Sequence, residues 1–419
     1  MKRILLLAAC VFVVGLTQNA CQGRPVDATL LSADYGYVDL PEELLGRGNA
    51  AKREEIRQRE QRLTRLYTTS DFDLCARELQ DNIARDPADT WSWYNLACIR
   101  ARQGDNDAAM AALHKAVEHG FCNLQRVQHD RDLAPLGERD DFQRLLQRDH
   151  ELQWTRAKRI EAVVGQKLEG RYNTVIDDRS RVIFTSTLSD DASAPVRQRL
   201  AAHAQAAWNE LFDHPIRQYV TVVVLDPSQM DKIPAGGGGW YDDNQHTILT
   251  IQTGIILTHE FTHALHHADQ IAHNQTHPTW IKEGLATLFE TSQLLDGRLK
   301  PLHNFRLRAI QQAVRQDRTI PLRTFLGMRQ SEFMNQSTTC YPQSRYLMWY
   351  LHEKGLLKAW YDAYTATYSQ DRTGGLALEA VCGQRLDHIE RDWKIWVGQL
   401  THTGTLPGDR DNIGLRLPT

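Results

Sequence analysis

Thr258-His-Glu-Phe-Thr-His-Ala-Leu-His-His267 sets two histidines, His259 and His263, four positions apart, with Glu260 directly after the first. Four residues make about one helical turn, so both imidazoles leave the same helix face and can close on one ion. Neutral imidazole is a strong zinc ligand, and a carboxylate next to the first histidine stands beside the metal, placed to take a proton from bound water. His-Glu-x-x-His on a helix encodes this arrangement.

A chain with 17 histidines can match such a pattern by chance, so a second signal is needed. It lies in Pro278-Thr-Trp-Ile-Lys-Glu-Gly-Leu-Ala-Thr-Leu-Phe-Glu290, which has helical periodicity. There Glu283 follows His263 after about 19 intervening residues (283 − 263 − 1), enough for one turn-back loop. A catalytic zinc takes three protein ligands and keeps a fourth position for water, and a carboxylate from an antiparallel second helix supplies the third.

With both segments in place, the chain resembles the gluzincin metallopeptidases, the thermolysin-like group, in which the histidine motif is followed by a glutamate on the next helix. It is most similar to the peptidase MA-like families whose second motif reads Trp-x-x-Glu-Gly-x-Ala, here Trp280, Glu283, Gly284 and Ala286. The resemblance covers roughly residues 215 to 355. It implies Zn²⁺ held by His259, His263 and Glu283, with Glu260 as general base in hydrolysis of a peptide or protein substrate. It also implies that the strand just before the zinc helix, residues 245–251, is an edge strand beside the cleft, where an extended substrate can pair. A later segment, Tyr341-Pro-Gln-Ser-Arg-Tyr-Leu-Met-Trp-Tyr350, resembles the helix in which an early tyrosine faces the metal. Tyr341 is therefore read either as an oxyanion stabiliser or as a core aromatic. Arg345 is read as substrate-facing or simply exposed.

The metzincin arrangement offers a rival third ligand, Asp269, six residues after His263. It requires a turn after a glycine, and His266 occupies that place, where a Cβ resists the turn. The other histidines of the region, His246, His266, His267, His273, His277 and His303, are read as surface groups or neighbours of the ligands, because three ligands and a water already complete a tetrahedral site.

Outward from the motifs, the expected class is α+β: an all-helical repeat-like domain, then a thermolysin-like domain with a small sheet and a mostly helical C-terminal half. Residues 1–21 carry Lys2 and Arg3 before an apolar run too short to span a bilayer, which reads as a signal peptide. Cys21 is a candidate lipidated residue, giving possible membrane attachment. The alternatives are Cys10 in that role or plain cleavage after Ala20. The expected location is thus exported, in the periplasm or cell envelope.

Residues 22–49 read as a tether. Residues 50–165 read as helices, with Trp93, Leu96, Ala97, Gly104, Ala109, Leu113 and Ala116 falling where a tetratricopeptide repeat packs two antiparallel helices. Phe72, Leu79 and Pro87 resemble the end of a preceding repeat. Such a module either binds a protein partner or acts as a packing cap. Residues 153–166 read as a linking helix.

The catalytic domain is expected over 166–405, with a tail at 406–419. Its strands are read at 172–176, 182–187 and 218–225, and a helix at 194–212. Residues 234–241, rich in glycine, are read as irregular, with Trp240 and Tyr241 either touching substrate or forming a plain connection. After Glu283 the chain reads as nearly all helical, at 302–316, 342–354, 356–367 and 386–400.

Cys75, Cys98, Cys122, Cys340 and Cys382 show no metal-binding spacing; Cys340 with Cys382 is a candidate disulfide, and buried thiols are the alternative. Charged residues at 24% and a net charge of −3 give no support for a nucleic-acid partner. Two other functions stay open: a partner-binding envelope protein with a vestigial zinc site, and a zinc amidase acting on cell-wall material.

Overall fold

Three aspartates punctuate the helical start of the chain. Asp71, Asp89 and Asp105 each accept a backbone N–H three residues ahead, at 3.2, 3.0 and 3.1 Å, satisfying donors that an uncapped helix leaves orphaned. They open helices α1 (Phe72–Arg85), α2 (Thr90–Arg102) and α3 (Asn106–Glu118). The computed structural model describes residues 58, 62–63, 65–67, 69–168, 170–232, 238–243, 246–273 and 275–401. The expected signal peptide, Cys10, Cys21, the tether and the tail lie outside them.

Between α2 and α3, Gly104 takes φ +82°, a left-handed turn that a side chain resists. Leu96, Ala97, Ala109, Leu113 and Ala116 are all buried where the pair packs, and Trp93 stacks on His119. The short helices α4 (Leu124–His129) and α5 (Asp140–Leu146) follow. The long α6 (Asp149–Lys167) sends Leu152 into this helical core and Ala157, Ile160, Val163 and Val164 into the next one.

That next core lies on a five-stranded sheet ordered β1-β2-β3-β5-β4, made of β1 (Asn173–Asp177), β2 (Val182–Ser186), β3 (Val220–Val224), β4 (Gly239–Asp242) and β5 (Thr247–Thr250). The β1–β2 hairpin is antiparallel, and β3 runs parallel to both β2 and β5. A parallel step needs a crossover, supplied by α7 (Asp190–Glu210). Fully buried β3 explains its unbroken run of β-branched residues, since a strand covered on both faces has no polar alternation.

Two expectations change here. Residues 245–251 were to form the sheet edge, but β5 pairs on one side with β3 and on the other with β4. The edge on that side is β4, built from Gly239, Trp240, Tyr241 and Asp242, most of it in the stretch expected to be irregular. Trp240 packs against the core rather than standing free.

The chain divides into two compact units, Met1–Arg199 with Ile216–Thr253 and Leu200–Pro215 with Gly254–Thr419. The sheet belongs to the first, along with the helical pairs, so residue 165 falls inside that unit. The second unit begins with the end of α7 and continues with α8 (Ile255–His273) and α9 (Thr279–Phe289). A hairpin follows, β6 (Ser292–Leu295) and β7 (Arg298–Pro301), in a stretch expected to be nearly all helical. Its turn residues Asp296 and Gly297 both have positive φ, +50° and +74°, the two-residue turn that Asp-Gly favours. Then come α10 (Arg306–Arg315), α11 (Leu322–Leu326), α12 (Gln330–Asn335), α13 (Ser337–Glu353), α14 (Leu357–Thr367), α15 (Gly375–Cys382) and α16 (Leu386–Gln399).

The residues of the second motif are the ones that seat α9. Trp280 is buried against Trp360 and donates its indole N–H to Thr373 O at 3.0 Å. Gly284 faces α13 so closely that a Cβ would lie 2.8 Å from Met348 Cγ and 3.3 Å from the Ser344 carbonyl. Arg345 on α13 is fully buried, neither substrate-facing nor exposed as expected: it donates to Leu288 O, Thr291 Oγ1 and Leu302 O. Cys340 and Cys382 form no disulfide, nor do Cys75, Cys98 and Cys122. Among the described residues no helix is long and apolar enough to cross a membrane. Gly284→Val forces atoms into the α9–α13 contact, so thermal or urea unfolding of this variant is expected to show a loss of about 1–3 kcal/mol.

Candidate metal centre

Helix α8 presents His259 and His263 on one face, their rings 4.8 Å apart and nearly perpendicular. The two Nε2 atoms are 3.1 Å apart, and Glu283 Oε2 from α9 lies 3.4 Å from the first and 3.6 Å from the second. Ligand atoms bound tetrahedrally at 2.0–2.1 Å from zinc lie about 3.3–3.4 Å from one another. The observed triangle brackets that value, and Glu283 Oε2 is buried without a hydrogen-bond partner. The donor set fits zinc on both geometry and chemistry, and all three expected ligands come together.

The charges around the triangle are set by the same contacts. Burial alone lowers the pKa of His259, but the Glu283 carboxylate 3.4 Å away, the hydrogen bond to Glu290 and the nearby Glu260 outweigh it and hold the imidazole up at about 10. For Glu283, burial works toward protonation, and His263 and His259 overcome it, keeping the carboxylate ionised below its usual range.

Sequence reasoning missed the support behind His259. Its Nδ1–H donates to Glu290 Oε2 at 2.9 Å, which fixes the tautomer and leaves Nε2 for the metal. Glu290, at 5% exposure, is itself held by Asn304 Nδ2 at 2.9 Å and by Arg306, with Arg345 Nη1 3.9 Å away. The signal was present: Glu290 follows Glu283 by seven residues, two turns, and so shares its helix face.

Tyr341 stands at this site rather than in a distant core. Burial, then the charges of Glu283 and Glu260, push its phenol well above the ordinary value, and the hydroxyl donates to Met334 Sδ at 3.9 Å. The proton therefore stays on the oxygen, available for donation. Phe333 and Arg306 flank the ring.

Asp269 is not a ligand of this triangle. Six residues beyond His263 it has turned about 120° around the helix, and its oxygens meet His214 and Tyr361 instead. His266 and His277 depart from the surface-or-neighbour reading: both are buried, bonded to each other at 2.8 Å, with His266 stacked on Phe212. Burial lowers the pKa of each, that of His277 to about 3, so they form a neutral core pair. His246, in the first unit, is likewise buried. His303 stacks on Trp349.

Comparisons of the chain with protein-family models, curated proteins and solved structures returned no match.

Zinc requires a neutral imidazole, so binding at pH 7 must expel the proton that Glu283 and Glu290 stabilise on His259. Calorimetric titrations in buffers of different ionisation enthalpy are expected to show release of about one proton per zinc. The affinity should strengthen about tenfold per pH unit up to about pH 10.

Proposed function

We propose that the protein is a zinc-dependent metallopeptidase of the gluzincin type, and the observation that carries this reading is the His259–His263–Glu283 triangle with Glu260 and Tyr341 beside it. When bound, zinc lowers the pKa of its water and polarises the scissile carbonyl. Glu260 takes the proton from the attacking water and passes it to the leaving amine. Tyr341, kept protonated by burial and by Glu283 and Glu260, donates a hydrogen bond to the oxygen that gains charge as the carbonyl is attacked. Glu290 holds His259 at the angle the metal needs.

The basic start and apolar run of residues 1–21 support an exported protein, with Cys21 as a candidate lipid anchor, and hence a substrate in the cell envelope or beyond. The helical pairs upstream serve this reading as a packing module or as a surface for a protein partner.

Glu260→Gln is expected to abolish cleavage of casein while zinc content by elemental analysis stays at the wild-type level; ordinary turnover by this variant would overturn the assignment. Loss of His259, His263 or Glu283 should lose the metal itself. Hydrolysis of peptidoglycan fragments, sensitive to chelator, with casein left intact would replace the peptidase by an amidase.

Tyr341→Phe should lower kcat by about 10²–10³ with little change in KM, since its hydrogen bond is made to charge that develops during attack.

A further inference from the structure

We propose that the second unit holds another divalent metal ion, on His214, Asp269 and His273, on a different face of the helix that carries His259 and His263. Asp269 and His273 are one turn apart on α8, repeating the spacing of His259 and His263. His214 comes from the segment just after α7. Each residue offers a ligand atom within 4.8 Å of the other two, and His259, His263 and Glu283 are the only other such group found among the described residues.

The geometry parallels that of the first group. The His214 and His273 rings have centroids 4.7 Å apart at 88°, against 4.8 Å and 82° for His259 and His263. Asp269 places Oδ1 3.0 Å from His214 Nδ1 and Oδ2 3.5 Å from His273 Nε2, so its two oxygens reach one imidazole each. Its carboxylate is fully buried and locked in place: Oδ1 accepts the backbone N–H groups of Asp213 and His214 at 3.1 and 2.9 Å, and Oδ2 accepts the Tyr361 hydroxyl at 2.7 Å. His273 Nε2, by contrast, is a buried atom with no hydrogen-bond partner. A ring nitrogen held dry and unpartnered beside a fixed carboxylate and a second imidazole is a place that a metal can complete.

Two imidazoles and one carboxylate select borderline ions, zinc, copper(II) or nickel, over calcium and magnesium, which take oxygen ligands. The His214 side chain is 36% exposed and those of His259 and Glu283 13%, so this ion has an open path to solvent and exchanges more readily. Bound there, it ties the segment after α7 to the last turn of α8. An ion that binds only the folded chain raises its stability with concentration.

The test uses the full, metal-stripped protein titrated with zinc chloride against a chromophoric chelator. Wild type is expected to bind two equivalents, the second more weakly. His273→Gln and His214→Gln should each reduce this to one, and should shrink the rise in Tm that excess zinc produces. His214 is the most exposed of the three, so its variant keeps the test sound if the other folds poorly. The His259→Ala/His263→Ala variant should retain only the weak equivalent. A single equivalent in wild type that His273→Gln leaves intact, or two in the His214→Gln/His273→Gln variant, would overturn the proposal. Failure of the first site looks different: the His259→Ala/His263→Ala variant would then bind as much zinc as wild type.

Discussion

Glu283 Oε2 sits in a dry pocket 3.4 and 3.6 Å from two imidazole nitrogens and receives no hydrogen bond. An ionised carboxylate in that position is costly unless a positive charge stands next to it. Without metal, the charge is the proton on His259, retained against burial by Glu283 and Glu290. A dication there would answer the same need more completely, because it would also satisfy His263 and the vacant lone pair of Glu283. The second unit is arranged so that this electrostatic demand falls at one point. Gly284 allows α9 to close on α13, and Trp280 pins the start of α9, so that the Glu283 side chain reaches α8 instead of water.

Charge alternates outward from that point. Glu283 faces His259, His259 faces Glu290, and Glu290 faces Arg306 with Arg345 behind it. Each buried charge has a partner of opposite sign, which is the condition under which buried ions are tolerated. Arg345 reaches beyond this ladder to the carbonyls of Leu288 and Leu302, joining the end of α9 to the strand returning from the hairpin. The β6–β7 hairpin therefore belongs to the support of the site: its short turn brings Asn304 and Arg306 back to Glu290.

Much of this was legible in the sequence. The i, i+4 histidines and the glutamate on a following helix are local patterns read through helical periodicity, and α8 and α9 deliver them as expected. The β-branched run of β3 and the boundaries of α14 and α16 were readable for the same reason. What was not legible depended on long-range pairing. The neighbours of β5 are settled by the whole sheet, and β4 is hidden behind glycines that weaken any strand signal. Asp296-Gly297 is a hairpin turn signal, but it is flanked by short segments that lack clear period-2 alternation. The role of Glu290 and the burial of Arg345 each required knowing which surfaces of α9 and α13 meet.

Helix α8 also shows why composition alone misleads in this stretch. His259, His263, His266, His267 and His273 lie on one helix, yet their surroundings assign them different chemistry. His259 is flanked by carboxylates and held charged; His266 is enclosed by Phe212, Tyr361 and His277 and held neutral. His273 turns toward Asp269 at the far end. Helical phase decides which neighbour each ring meets, and the neighbour decides whether the ring carries a proton, faces a carboxylate across a dry gap, or fills the core. The two carboxylate-facing groups leave α8 about 120° apart, so they need separate partners, α9 for one and the segment at 213–214 for the other. Their difference in enclosure follows from those partners: a packed helix excludes water from Glu283, whereas a short connection leaves His214 partly open.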